Sequence, residues 1–216
     1  MRMRKVKWAV EYLSDSQKLV SHPEEKRSLW KGQYRLLHVE IGCGKGNYSL
    51  EMARKYPDEM FVAIEKNESA AGIAAKKFDE AKDVENLFLI HGDASLIDTW
   101  FAKEEVDILH LNFSDPWPKK RYAKRRLSSA SFLQQYQSIL SKYGQIQMKT
   151  DNEKLFEYSV LEFLKAGFLL DDLCVNYRRE PHEEDAITEY EEKFIANGQP
   201  IYRCVFKKEK ENETDS

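Results

Sequence analysis

Residues 36–46 read Leu36-Leu37-His38-Val39-Glu40-Ile41-Gly42-Cys43-Gly44-Lys45-Gly46. A short, mostly apolar run with an acid at its next-to-last position, Glu40, breaks into three glycines, one at every second position. Residues 36–41 suit a buried strand, and the apolar periodicity that follows suits a helix over residues 47–55. Glycines between a strand and a helix let the backbone turn tightly and approach a ligand closely. The same alternation continues downstream. Strands are expected at residues 60–64, 87–91, 106–113 and 145–149, each followed by a helical stretch: residues 68–81, 95–101, 128–140 and 152–165. Two later strands are expected at residues 168–175 and 201–206, on either side of an acidic, irregular stretch over 180–192. Five strand–helix alternations require a mostly parallel sheet covered on both faces. The fold class is therefore α/β, a doubly wound, mostly parallel, seven-stranded sheet, whose ligand lies outside the carboxyl ends of the strands. Thr150-Asp151-Asn152-Glu153 has the spacing of a capping box at the start of the last of those helices.

The glycine turn excludes two familiar phosphate sites. A dinucleotide fingerprint puts its third glycine at position 47, which is Asn47, and a P-loop needs Ser or Thr after the lysine, where Gly46 stands. Acids occur instead at three successive strand ends. Glu40 precedes Gly42 and Gly44, Glu65 closes the second strand, and Asp93 follows the third. Glu65 is placed to accept hydrogen bonds from both hydroxyls of a ribose, and Asp93 to read an adenine amine or to cap the helix after it. Carboxylates disfavour a pyrophosphate, which binds donors and positive charge. They suit a ligand with an adenosine and a cationic tail, S-adenosylmethionine.

Beyond the fourth strand, Asn112-Phe113-Ser114-Asp115-Pro116-Trp117-Pro118 runs into Lys119, Lys120, Arg121, Lys124, Arg125 and Arg126. The chain holds 34 Lys+Arg and 37 Asp+Glu, and setting these six aside leaves 28 against 37. A concentrated basic run on an acidic body binds a polyanion locally. A solvated helix face usually mixes both signs.

Composition excludes other classes. The chain has 216 residues, 42% hydrophobic and 33% charged, enough for one domain over residues 1–206. A basic, helical extension is expected over about residues 1–33 and a charged, disordered tail over 207–216. No apolar run approaches the roughly 18–20 residues that span a bilayer, and no signal-type segment follows the basic start. Three scattered cysteines without a C-x-x-C pair argue for reduced thiols, a cytoplasmic setting and no structural metal. The five histidines show no metal-ligand spacing.

Residues 40–46, Glu65 and Asp93 resemble the cofactor site of class I S-adenosylmethionine-dependent methyltransferases, with their Rossmann-like fold. Residues 112–121, together with Met148-Lys149-Thr150-Asp151-Asn152 and Thr188-Glu189-Tyr190-Glu191, closely resemble the bacterial tRNA (guanine-N7-)-methyltransferase family. The Asp-Pro-Trp-Pro-Lys-Lys-Arg motif is highly specific; the glycine turn is not. The resemblance extends to about Phe206. It implies methyl transfer from S-adenosylmethionine to N7 of guanine 46 in the tRNA variable loop. It implies cofactor contacts at Glu40, Glu65, Asp93 and Asp115, with Asp115 also catalytic. It implies RNA-side contacts at Lys119, Asp151 and Thr188, Glu189, Tyr190 and Glu191, and an RNA-binding run that includes Arg121, Lys124, Arg125 and Arg126. One departure stands out: Tyr122 occupies a position where the family often has His.

The chemistry is reasonable on its own terms. Guanine N7 carries a lone pair and no proton, so its methylation needs no general base, and in-line positioning can contribute about 7–11 kcal/mol. The methylated ring is cationic, so a carboxylate such as Asp115 beside it is stabilising. Trp117 offers a face for base stacking, worth about 1–3 kcal/mol, or else packs into the core. Asp115 alternatively only shapes a turn before Pro116, and Asp151 only caps a helix. Two other functions remain open: a non-catalytic RNA-binding module, and a nucleotide-dependent oxidoreductase on the same layered sheet. Tail aside, a monomer or a homodimer is expected.

Overall fold

The computed structural model describes residues 5–208. The sequence expectations for Arg2, Arg4 and residues 209–216 lie outside the described residues. Seven strands form one sheet: β1 (Leu37–Ile41), β2 (Met60–Glu65), β3 (Leu87–His91), β4 (Val106–Asn112), β5 (Leu140–Thr150), β6 (Leu169–Cys174) and β7 (Tyr202–Lys207). Their order is β3-β2-β1-β4-β5-β7-β6, with β7 antiparallel to both neighbours and every other pair parallel. Among the described residues, seven α-helices accompany them: α1 (Lys7–Leu13), α2 (Asn47–Lys55), α3 (Glu68–Glu80), α4 (Ile97–Trp100), α5 (Ala130–Ile139), α6 (Glu153–Lys165) and α7 (Glu189–Ala196).

Side-chain alternation explains the two layers. Along β2, Met60, Val62 and Ile64 join the apolar cluster that holds α4, α5 and α6, while Phe61 and Ala63 join the cluster of α1, α2 and α3. Strands covered on both faces read as continuous apolar runs rather than alternating ones, as the sequence does at each central strand. The chain order reverses between β1 and β4, which places the switch-point crevice beyond Ile41 and Asn112.

Among the described residues, the N-terminal stretch from α1 to residue 20 packs against this sheet and its helices. A Cβ on Gly72 of α3 would lie 1.8 Å from the carbonyl oxygen of Ala9, so only glycine admits α1 so close. Residues 18–20 then run beside β3: Leu89 N donates to Lys18 O at 2.8 Å and Val20 N to Leu89 O at 2.8 Å. This covers the sheet edge, which would otherwise present unpaired backbone groups.

Three sequence expectations need correction. The entry to α6 is not a Thr150–Glu153 capping box: Asn152 is the cap, its Oδ1 accepting from Leu155 N at 2.9 Å, while Thr150 Oγ1 accepts from Asn152 N at 3.1 Å. Asn leads the preference for this position, and here it is one residue nearer the helix. Residues 95–101 form a short 3-10 turn, Ala94–Leu96, before the single turn of α4. The stretch over 180–192 ends in a true helix, α7, with a capping box: Thr188 Oγ1 accepts from Glu191 N at 3.0 Å and Glu191 Oε2 from Thr188 N at 2.8 Å.

A buried imidazole makes stability pH-dependent. His110 Nε2 lies 3.0 Å from His38 Nδ1, and its Nδ1 lies 3.2 Å from the Tyr48 hydroxyl. Burial, then the nearby His38, Lys149 and Arg203, hold its pKa well below the ordinary value of 6.5. The unfolded chain therefore binds a proton that the folded one refuses, so this contribution is complete well above pH 6.5 and is lost as pH falls through and below it. A unit or more below that value, while the folded imidazole stays neutral, the loss approaches about 1.4 kcal/mol per pH unit. Denaturant unfolding at about pH 7.5 and about pH 5.5 reads it; equal stability at the two would refute it.

Candidate active site at the switch point

The glycine turn closes β1 and is strapped to the end of β2. Gly42 N and Cys43 N donate to Ile64 O at 2.8 and 3.1 Å, and Gly44 N donates to Glu65 Oε2 at 2.9 Å. Gly42 and Gly44 have φ of +79° and +58°, and a Cβ on either would meet nothing within 4 Å. The backbone is therefore exposed on its open side, where a ligand can approach. Glu65 Oε1 also accepts from Asn67 N at 2.7 Å, so one carboxylate sets both the turn and the start of α3.

Glu40 lies deeper. It is buried, its carboxylate accepting from Asn112 Nδ2 at 3.0 Å and from the Ser49 hydroxyl. Its bond to Asn112 spans the switch point and ties the end of β1 to the end of β4. Burial pushes the Glu40 carboxyl above its usual range, with the Ser49 and Asn112 bonds acting against that rise. A cationic ligand nearby would favour the ionised form. Asp93 is half-buried and does cap the 3-10 turn, accepting from Ser95 N at 3.0 Å. It also pairs with Lys66 at 2.7 Å, and this lysine, then the Ser95 backbone bond, holds its carboxyl below the usual range.

Across the crevice the turn after β4 carries Asp115. Phe113 N donates to Lys149 O at 2.8 Å, continuing the sheet by one bond. Phe113 and Trp117 then take φ of +50° and +42°, a region that costs bulky residues about 1–3 kcal/mol each. Between these two strained positions Asp115 is exposed, and its carboxylate makes no hydrogen bond or ion pair among the described residues. Asp151, at the end of β5, is likewise exposed and is not the helix cap.

Arg126 explains how the turn is held. Its Nε donates to Pro116 O at 3.0 Å and its Nη2 to Trp117 O at 3.1 Å, while the guanidinium lies 4.2 Å from the ring centre of Tyr158 on α6. Of the basic run, Arg126 is thus half-buried and committed to the protein, whereas Lys119, Lys120, Arg121, Lys124 and Arg125 are exposed. Tyr122 supports them. Arg121 and Arg125 lie 4.9 and 4.8 Å from its ring centre, Arg125 also lies 5.0 Å from that of Trp117, and the two rings meet edge-on at 5.9 Å. Trp117 is therefore a partly exposed member of a cation–π stack rather than a core residue.

The Thr188–Glu191 segment divides by burial. Thr188 and Glu191 are buried, their polar groups spent on the capping box and on Lys149 and Arg178. Any contact they influence is reached through position. Glu189 and Tyr190 face outward. Glu189 bridges Lys45 at 3.1 Å and Asn47 at 2.7 Å; burial pushes its carboxyl up, but Lys45, Lys77 and Asn47 bring it below the usual range. Tyr190 and Phe194 both stack on Phe113, with centres 6.0 and 5.8 Å away. Among the described residues no group of three or more His, Cys, Asp or Glu could hold a metal ion. No helix there is long and apolar enough to cross a membrane.

Several site residues escape sequence reading. Ser49, Arg178 and Asp185 carry no pattern, and Asn112 is visible only as the start of the stretch that runs to Arg121. Lys149 does carry one: a cation inside the apolar run of a central strand must find a buried partner.

Residues 34–204 match the family described as "Putative methyltransferase". The chain is 43% identical over 208 residues to the tRNA (guanine-N(7)-)-methyltransferase of Oceanobacillus iheyensis, covering 94% of this chain and 97% of that protein. It is 41% identical over 208 residues to the enzyme of the same name from Latilactobacillus sakei, with the same coverage. Among solved structures, an antibiotic-related methyltransferase superposes with a TM-score of 0.64 at 16% identity, covering 85% of this chain and 94% of that one. The 16S rRNA methyltransferase KamB gives 0.62 at 17%, covering 88% and 94%. At such identities the structures show a shared fold.

Proposed function

Because the chain belongs to the tRNA (guanine-N7-)-methyltransferase family, we propose that it transfers a methyl group from S-adenosylmethionine to N7 of a guanine in tRNA, and that the target is guanine 46 of the variable loop. The observation that carries this reading is the unpaired Asp115 carboxylate. It stands on a strained turn at the switch point, opposite an open glycine turn and beside five exposed cations.

The residues present fit the cofactor. Gly42 and Gly44 leave backbone accessible, Glu65 offers carboxylate oxygens for a ribose diol, Asp93 suits an adenine amine, and buried Glu40 favours a cation nearby. When bound, S-adenosylmethionine supplies an electrophilic methyl group on a sulfonium. The chain's own part is to bind, orient and stabilise charge. Guanine N7 has a lone pair and no proton, so no side chain need act as a base. The Asp115 carboxylate offsets the positive charge that develops on the ring, in a position fixed before reaction by the bonds to its turn. The exposed cations hold the RNA backbone, and Tyr122 orients two of their guanidinium groups.

Glu65→Ala should weaken cofactor binding by about 1.5–3 kcal/mol, the range for charged hydrogen bonds, while tRNA affinity stays close to the parent's. Calorimetry with cofactor alone decides it, and an unchanged affinity in a folded variant removes Glu65 from the site. The target position is tested with tRNA transcripts. Label from the cofactor should enter an unmodified transcript and be lost when guanine 46 is replaced by adenine. Undiminished labelling would place the target elsewhere.

A further inference from the structure

The next-to-last residue of β5 is a lysine that water scarcely reaches: Lys149 is 3% exposed. Its Nζ lies 2.7 Å from Asp185 Oδ2 and 3.1 Å from Glu191 Oε2. Arg178 repeats the arrangement, 2.6 Å from Asp185 and 2.9 Å from Glu191. The Tyr48 hydroxyl donates to the other Asp185 oxygen at 2.8 Å, and the ammonium lies 4.6 Å from the Tyr48 ring centre. Two cations and two carboxylates thus neutralise one another in a dry interior. Such a set adds little net stability over apolar packing, but it fixes geometry sharply, because every misplacement leaves a charge unpaired.

What it fixes is a segment outside the regular elements. That segment is otherwise tied to the body by the Tyr56 hydroxyl donating to Glu184 O at 2.8 Å, by Ala186 N donating to Met52 Sδ at 3.4 Å and by His182 stacked on Tyr177. Residues 180–188 form neither helix nor strand, yet they carry Asp185 and Ala186, whose carbonyl also accepts from Arg178 at 3.0 Å. The chain then enters α7, which reaches both lips of the crevice: Glu189 to Lys45 and Asn47 beside the glycine turn, Tyr190 and Phe194 to Phe113 beside Asp115. The carbonyl of Lys149 meanwhile holds Phe113 N. One residue therefore sets the Asp115 turn through its backbone and the facing segment through its side chain.

We propose that Lys149 is a positioning residue: its ammonium anchors residues 185–191 so that Glu189 and Tyr190 stand in register with the turn that carries Asp115. The substrate half of this inference rests on the function proposed above; the anchoring half does not. The test uses the full chain with Lys149→Met, Lys149→Arg, and the charge-balanced pair Lys149→Met with Asp185→Asn, which keeps the variant foldable. Amide hydrogen exchange over residues 185–196 should accelerate in Lys149→Met and in the balanced pair, and return toward the parent in Lys149→Arg. With tRNA, KM should rise about tenfold to a hundredfold, with kcat and cofactor affinity each within about threefold of the parent. Unchanged exchange in both Met variants overturns the anchor. Faster exchange with an unchanged KM overturns the link to substrate, as does a KM restored in the balanced pair, because stability alone would then account for the effect. A parent that forms no 7-methylguanosine overturns the proposed function, and the exchange data still decide the anchor.

Discussion

Asp115→Asn should cut turnover by about a hundredfold or more, the range seen when one electrostatic contact to developing charge is removed, while tRNA and cofactor affinities change little. The substitution keeps the size of the side chain and the Asx–Pro turn, so the strained backbone from Phe113 to Trp117 is not disturbed. What it removes is the negative charge. Because the ring becomes cationic only as N7 is methylated, that charge acts on the transition state more than on the bound substrate, and the loss should appear in kcat rather than KM. Steady-state kinetics with unmodified tRNA separate the two. Turnover within a few-fold of the parent would make Asp115 a turn residue.

The second large effect concerns two neighbouring arginines with different occupations. Arg126→Ala removes the fork that joins Pro116 and Trp117 to α6, so the Asp115 turn loses its clamp. A misplacement of about 1 Å can cost about a hundredfold in rate, and a fall in kcat of about tenfold to a hundredfold is expected. The dependence of tRNA affinity on salt should stay as in the parent. Arg126→Lys should not rescue, since one ammonium cannot reproduce two directed bonds and a stacked plane. Arg125→Ala should do the reverse. Arg125 is exposed over Tyr122 and Trp117, so its loss weakens tRNA binding and flattens the slope of log affinity against log salt by about 0.7–0.9, with kcat at saturating tRNA near the parent's. A flattened slope with normal kcat in Arg126→Ala would return that residue to the RNA surface.

These two arginines also show where sequence reading ended. The central sheet was legible because each strand is a short apolar run bounded by turn chemistry and followed by helical periodicity; helix α2 and strand β3 were placed to the residue. The acids at the ends of β1, β2 and β3 were legible for the same reason, since each sits where a run stops. The basic run was visible only as charge. Nothing in one dimension separates Arg125, free to meet phosphate, from Arg126, whose partners are carbonyls nine and ten residues back. Helix α7 was hidden by the acidic composition of residues 180–192, although Thr188 and Glu191 carry the capping-box spacing that marks its start. At α6 the same spacing misled, because Asn152 stood closer to the helix than Thr150. The role of Tyr122, where the family often has His, needed the structure: its ring carries two guanidinium groups, which an aromatic face does whether or not it titrates.

The central claim is that the crevice between β1 and β4 methylates guanine N7 in tRNA. The most direct measurement incubates the full chain with methyl-labelled S-adenosylmethionine and bulk tRNA lacking 7-methylguanosine, then digests the RNA to nucleosides and separates them. The account predicts that label appears in 7-methylguanosine and that the signal collapses with Asp115→Asn. Label in a different nucleoside, or none in any, would contradict it.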